Sequence, residues 1–259
     1  MSYNFYDFNN ALQQRNEYVE GRLRDGSPVV GISYDGGLLL LTLRHTQRKV
    51  YEVYDRLMMS ALGKQSDIES IRLAAIDSTH REGFQRSEDD VSVQRLVGFG
   101  LSPAVKRIYN DNNTIPLTFR GLFVELNKEP GEDLYFTLGY DGEFRNTHRY
   151  AVVAGTTYAA EQAEESLKDA HLGNLEDTLK AALKAWGIAK SQLAPLPEKL
   201  DDDGDEDTPK PPTPEEGLKT ALADGLTVEA AVLERHTKRE SRFRLLTQAQ
   251  LENAVADYR

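Results

Sequence analysis

Few side chains in this sequence have the type and spacing to do chemistry. None of the 259 residues is cysteine, which removes thiol nucleophiles, disulfide frameworks and cysteine-ligated metals together. The five histidines, His45, His80, His148, His171 and His236, are scattered and share no close ligand spacing, so they read as surface or interface residues. The run Asp201 to Asp207 is acidic enough to suggest calcium, but it lacks the alternating ligands and terminal glutamate of a binding loop. Thr156 and Thr157 follow a strand interior and read as a helix N-cap. That leaves Ser27, which begins the first strand behind Gly26. Were the chain cleaved before it, its hydroxyl would be a nucleophile and its own α-amine the base. No metal site and no cofactor is expected.

The whole-chain balance narrows the class further. Lys+Arg number 31 and Asp+Glu 42, a net charge of −11, which argues against nucleic acid because phosphate-backbone binding needs a basic face. Hydrophobic residues make up 39%, enough for a substantial core in a single domain over 1–259. The first residues lack the basic region and apolar run of a secretory signal. The purely apolar run Leu38 to Leu41, like every other in the sequence, is far short of the ~20 residues needed to cross a bilayer. A cytoplasmic protein with no membrane partner is the expectation.

The elements that must position these residues read as follows. Residues 1–8 form an aromatic tail holding Tyr3, Phe5, Tyr6 and Phe8, and residues 9–24 a polar helix anchored by Leu12, Val19 and Leu23. Pro28 to Tyr34 and Leu38 to Leu43 read as a hairpin around Asp35-Gly36-Gly37. The second strand is almost continuously apolar, as expected when both faces of a sheet are covered. Val50 to Leu62 adds strand-like sequence. Ser66 to Arg86 is a helix, and Asp89 or Asp90 can cap another running to Tyr109. A second strand block covers Leu117 to Leu126, then Leu134 to Tyr140, a turn at Asp141-Gly142, and Tyr150 to Ala154. Helices Tyr158 to Ala170 and Leu175 to Ala189 follow. Residues 195–216, acidic and proline-rich, read as an exposed loop. Leu226 to Leu233 and Phe243 to Leu246 close the strands, and Thr247 caps a last short helix. Strand blocks separated by helix pairs permit two stacked sheets with helices outside.

Several pieces in this order resemble 20S proteasome α subunits, especially those of actinobacterial type. Glu17-Tyr18 sits where the family carries Glu-Tyr. Lys49 to Leu57 with Ala61-Leu62-Gly63-Lys64 is similar to the family's lysine, apolar, aspartate and Ala-x-Gly series. Asp89-Asp90-Val91 is similar to its Arg-Asp-Val, and Tyr140-Asp141-Gly142 with Val152 to Thr157 to its hairpin leading into Gly-Gly-Thr-Thr. Val228 to Leu233 and Phe243-Arg244 have counterparts near the end.

The resemblance implies an α+β, four-layer αββα sandwich of the N-terminal nucleophile hydrolase type. It implies a non-catalytic subunit that joins six other α copies in a heptameric outer ring, stacked on proteasome β subunits that carry the threonine protease. Such a ring gates entry of unfolded protein substrates and docks the C-terminal tail of an AAA+ ATPase ring or other activator. Lys49 would then be the docking cation, with Gly63 and Lys64 lining its pocket, and Tyr3, Phe5, Tyr6 and Asp7 the gate. Lys49 also sits where catalytic relatives carry their lysine, which keeps a self-processed Ser27 hydrolase as one alternative and an α-like homo-oligomeric scaffold as another. Against the hydrolase, Leu43 stands where relatives carry the acidic residue, Pro28 directly follows Ser27, and the preceding stretch reads as an ordered helix, not a leader.

Overall fold

The computed structural model describes residues 5–170, 173–192 and 212–258. The chain opens with α1 (Phe5–Leu23) and two hairpins, β1 (Val29–Tyr34) with β2 (Gly37–Arg44), then β3 (Val50–Tyr54) with β4 (Leu57–Gly63). Helix α2 (Gln65–Gln85) follows, and a π-helical stretch, Arg95–Leu101, leads into α3 (Ser102–Asn110). A meander of β5 (Phe119–Glu125), β6 (Leu134–Leu138) and β7 (Phe144–His148) gives way to β8 (Tyr150–Val153). Three helices, α4 (Thr157–Glu165), α5 (Leu175–Ser191) and α6 (Pro214–Ala223), precede β9 (Thr227–Glu234), β10 (Phe243–Leu245) and α7 (Gln248–Val255).

The strands form two antiparallel five-stranded sheets, ordered β10-β9-β2-β1-β8 and β3-β4-β5-β6-β7. Helix α2 packs on the second sheet, and α4, α5 and α7 on the first, which gives the four-layer αββα sandwich expected of the sequence. The apolar run in β2 shows why both faces had to be covered. Leu38 and Leu40 enter the core shared with the second sheet, while Leu39, Leu41 and Leu43 enter the core under the helices. Side chains alternate along a strand, so a run that is apolar but for Thr42 serves two cores at once.

Four expectations need correction. Helix α1 begins at Phe5, not at Asn9, so Phe5, Tyr6 and Asp7 belong to its first turn. Asp89 and Asp90 do not cap the helix toward Tyr109; they lie in a short 3-10 turn capped by Ser87, whose side chain accepts from the Asp89 N–H. The return after Asp141-Gly142 is not one strand: β7 pairs with β6 in the second sheet, and β8 crosses to pair with β1 in the first. Arg149 makes that crossing in the left-handed region, at φ 71°. The acidic stretch does not run as loop to residue 216. Thr213 and Glu216 form a reciprocal capping box with Pro214 at the first helical position, which starts α6. The remainder of that loop, 195–211, and the run Asp201 to Asp207 lie outside the described residues, as do His171 and Tyr3.

Candidate functional site

Helix α1 is latched across the end of the sandwich that carries Ser27. Val19 and Leu23 on its inner face are fully buried, each contributing about 1.5–3 kcal/mol by leaving water. The polar contacts fix its position. Glu20 pairs with Arg120 of β5, and Arg120 also donates to the carbonyls of Ala154 and Gly155 at 3.0 and 2.8 Å. Tyr140 donates to Glu20 at 2.9 Å, and Tyr109 to Asn16 at 2.6 Å. Burial, and next the Glu20 charge, push the Tyr140 phenol well up from its ordinary range. Arg15 reaches the carbonyls of Thr114 and Ile108. At Gly155 a β-carbon would lie 1.9 Å from the Arg24 carbonyl oxygen, so the chain after β8 passes under the end of α1 only because this residue is glycine.

From α1 the backbone turns directly into β1, with Gly26 N–H donating to the Leu23 carbonyl at 2.8 Å. Ser27 follows that turn. Its hydroxyl donates to the Leu43 carbonyl at 2.7 Å, and the Pro28 carbonyl beside it accepts from Thr42 and from the indole of Trp186. Ser27 is thus held as a structural hydroxyl at the mouth of β1.

Ser27 borders a cavity of about 590 Å³ between the β2–β3 connection, the end of α5 and helix α6. Lys49, Lys190 and Arg44 supply its cations, with Leu43 and Ala221 among its apolar lining. Lys49 is partly buried. Its backbone N–H donates to Glu229 at 2.9 Å, and the same carboxylate oxygen faces Arg44 at 3.0 Å. The Lys49 ammonium itself has no hydrogen bond or ion pair among the described residues. Lys190, by contrast, donates to the Asp25 carbonyl at 2.8 Å. Burial therefore lowers the Lys49 pKa to about 8; Glu229 pulls it back up, and Lys190 adds to the lowering. Burial raises Glu229, against the pull of the Lys49 N–H and Arg44, and its second oxygen has no partner among the described residues. The lining of the recess mixes Leu43, Ala221 and Leu226 with polar residues and the carboxylates of Asp25 and Asp224. A cation without a partner there has the chemistry to pair with an incoming anion, where a charge-assisted bond adds about 1.5–3 kcal/mol.

Of the residues read as a docking set, Lys49 alone lines this cavity. Gly63 and Lys64 stand just outside it, next to Gln65, which does line it. Gly63 has φ 132°, and a β-carbon there would meet the Thr118 carbonyl oxygen at 2.1 Å. Lys64 donates its N–H to that same carbonyl at 2.8 Å and sits at the N-cap position of α2. Both therefore fix the β4–α2 turn. Thr156 does cap α4, accepting from the Ala159 N–H at 3.1 Å. His80 packs edge-on against Tyr54, and His45 alone of the described histidines lines the cavity. Sequence reasoning missed Glu229, Arg44, Lys190 and α6 as parts of this site. Only α6 carried a local signal, the Thr-x-x-Glu spacing of its capping box.

No family model matches the chain. Curated proteins do. The proteasome α subunit of a Nocardioides species is 23% identical over 250 residues, spanning 95% of this chain and 86% of that protein. That of Actinosynnema mirum is 28% identical over 238 residues, 90% of this chain and 80% of its own length. That of Thermomonospora curvata is 27% identical over 176 residues, 67% and 74%. The similarity to actinobacterial proteasome α subunits carried by the motifs therefore runs over most of the chain, and the sandwich is of the N-terminal nucleophile hydrolase type.

Proposed function

We propose that the chain is a non-catalytic α-type subunit of a 20S proteasome, one of seven in an outer ring that caps the β subunits, admits unfolded protein and docks an activator. The observation that carries this reading is the latched helix α1. With Val19 and Leu23 in the core and Glu20 bonded to β5, the segment before Ser27 is part of the fold, so Ser27 has an amide where a catalytic relative has a free amine. Leu43, which by resemblance stands where catalytic relatives carry the acidic residue, is fully buried. Ser27 and Lys49 share one cavity, but the Ser27 hydroxyl is committed to a carbonyl. The same argument disfavours the self-processed hydrolase.

In this reading the cavity at Lys49 receives the terminal carboxylate of an activator tail, in the cytoplasm, and residues before and within the first turn of α1 close the pore. Co-expression with the β subunit of the same genome tests the assignment. A four-ring particle that cleaves peptides supports it; an α protein that never binds β, or that loses its first 26 residues by intact mass, overturns it. Within the particle, Lys49→Ala is expected to abolish stimulation by the ATPase ring and leave assembly and basal peptide cleavage unchanged. Deleting residues 2–8 is expected to raise basal cleavage, and an unchanged rate removes that segment from the gate.

A further inference from the structure

Lys49 differs from the other described lysines in a way that tail docking does not require. Lys168 pairs with Glu165 at the end of α4 and Lys180 with Glu176 on α5, and Lys190 caps a carbonyl. Lys64, Lys106 and Lys128 lie exposed in water. Lys49 is the one that is both partly buried and without a side-chain partner among the described residues, at the edge of a cavity of about 590 Å³ that opens to solvent. The groups facing it leave its nitrogen free. Glu229 turns one oxygen to the Lys49 backbone N–H and Arg44, Lys190 turns to the Asp25 carbonyl, and Asp25 and Asp224 line the cavity with no ion pair to Lys49 among the described residues.

We propose that Lys49 is a site of covalent acylation by small activated acyl donors, acyl phosphates in the first instance. The free amine attacks the acyl carbon and forms the N–C bond of an amide. The carbon–oxygen bond to phosphate breaks, phosphate leaves with the electron pair, and the nitrogen gives its proton to water. The cavity has room for the donor, and Lys190 and Arg44 in its lining keep the surroundings of the departing phosphate cationic. The product is neutral. The site thereby loses the only cation in it that has no partner among the described residues. That acylation would silence tail docking rests on the function proposed above; the acylation itself does not.

The reactivity expected follows from the neutral fraction. With a pKa of about 8, about a quarter of Lys49 is free amine at pH 7.5, against roughly one part in a thousand for an ordinary lysine. A less basic nucleophile is intrinsically slower by about tenfold over such a shift, which leaves a net advantage of about twentyfold.

The test uses the full-length protein alone. It is treated with limiting acetyl phosphate at pH 7.5, and sites are quantified by peptide mass spectrometry, folded and in urea. Lys49 is expected to acetylate about twentyfold faster than Lys64, Lys106 and Lys128 in the folded protein, with no preference in urea. A folded rate no faster than those lysines overturns the proposal, and so does a preference that survives unfolding, since the flanking sequence would then be its cause. Lys49→Arg is expected to remove the fast adduct; if that variant fails to fold, the folded-to-unfolded comparison in the parent protein still decides. Because no activator is present, a failure here is distinct from a failure of docking.

Discussion

The two ends of the β2–β9 ladder, about 24 Å apart at ~3.4 Å per residue, treat buried charge in opposite ways. At the far end, beyond Glu234, Asp133 is fully buried and Arg235 nearly so. The Asp133 carboxylate accepts from Arg235 at 2.8 and 3.0 Å, from Ser33 at 2.7 Å and from the Asn127 N–H at 2.8 Å. Arg235 spends its other donors on the carbonyls of Asn127, Asp35 and Gly37, and Tyr135 joins through Ser33. Residues of both sheets and the β1–β2 turn are tied there in one closed network. At the Lys49 end, the ammonium has no partner among the described residues and Glu229 leaves one oxygen unsatisfied. A buried charge costs several kcal/mol unless its bonds are completed. Where they are completed inside the chain the charge holds the fold together, and where they are left open the charge keeps its bonding capacity for groups from outside the chain.

Breaking the closed end should have the largest effect. Asp133→Ala leaves the Arg235 guanidinium buried without its counter-ion, and removing one partner of such a pair costs about 3–5 kcal/mol. Urea unfolding of the purified subunit is expected to show that loss. A change below about 1 kcal/mol would mean that water already reaches this end, and the contrast would collapse. Glu229→Gln is the matching change at the open end. The amide oxygen still accepts from the Lys49 N–H, Arg44 is partly exposed, and one carboxylate oxygen had no partner among the described residues to lose. A loss of about 1 kcal/mol is expected, and a loss as large as that of Asp133→Ala would show the open end to be as structural as the closed one.

The difference between the ends also explains what could be read from the sequence. Layers were legible because they follow from local periodicity: Leu38 to Leu43 announced a strand covered on both faces, and Leu179, Leu183 and Trp186 the buried stripe of α5. Lys49 was legible only through the motif around it. Its surroundings were not, because Glu229, Lys190 and Arg44 are brought together by strand register and by α6, across up to 185 positions from Arg44 to Glu229. Asp133 and Arg235 were invisible for the same reason, being 102 positions apart. The β7–β8 crossing was missed because Tyr150 to Val153 looks the same in either sheet, and the switch rests on the backbone of one residue, Arg149. Helix α6 was hidden by composition: the proline and acids that mark its cap also mark an exposed loop.

The smallest effect is the most direct measure of the open end. Lys49 has a folded pKa of about 8 against an ordinary 10.5. Below pH 8 both folded and unfolded chains hold the proton, so the folded chain carries the full cost of the unpaired ammonium. Between pH 8 and 10.5 the unfolded chain binds more protons, and stability therefore rises with pH, by at most about 1.4 kcal/mol per unit. Solvent in the cavity reduces that slope, and tyrosines whose phenols burial has raised, such as Tyr34 and Tyr109, begin to act in the opposite sense near pH 10. The useful window is pH 8 to 9.5, read as a difference between the parent and Lys49→Met. Lys49→Met is expected to be the more stable of the two at pH 7, with the gap narrowing steadily across the window. A gap that stays constant with pH would show that the ammonium finds a partner in solution, and a variant less stable than the parent at pH 7 would show that Lys49 holds the fold as Arg235 does.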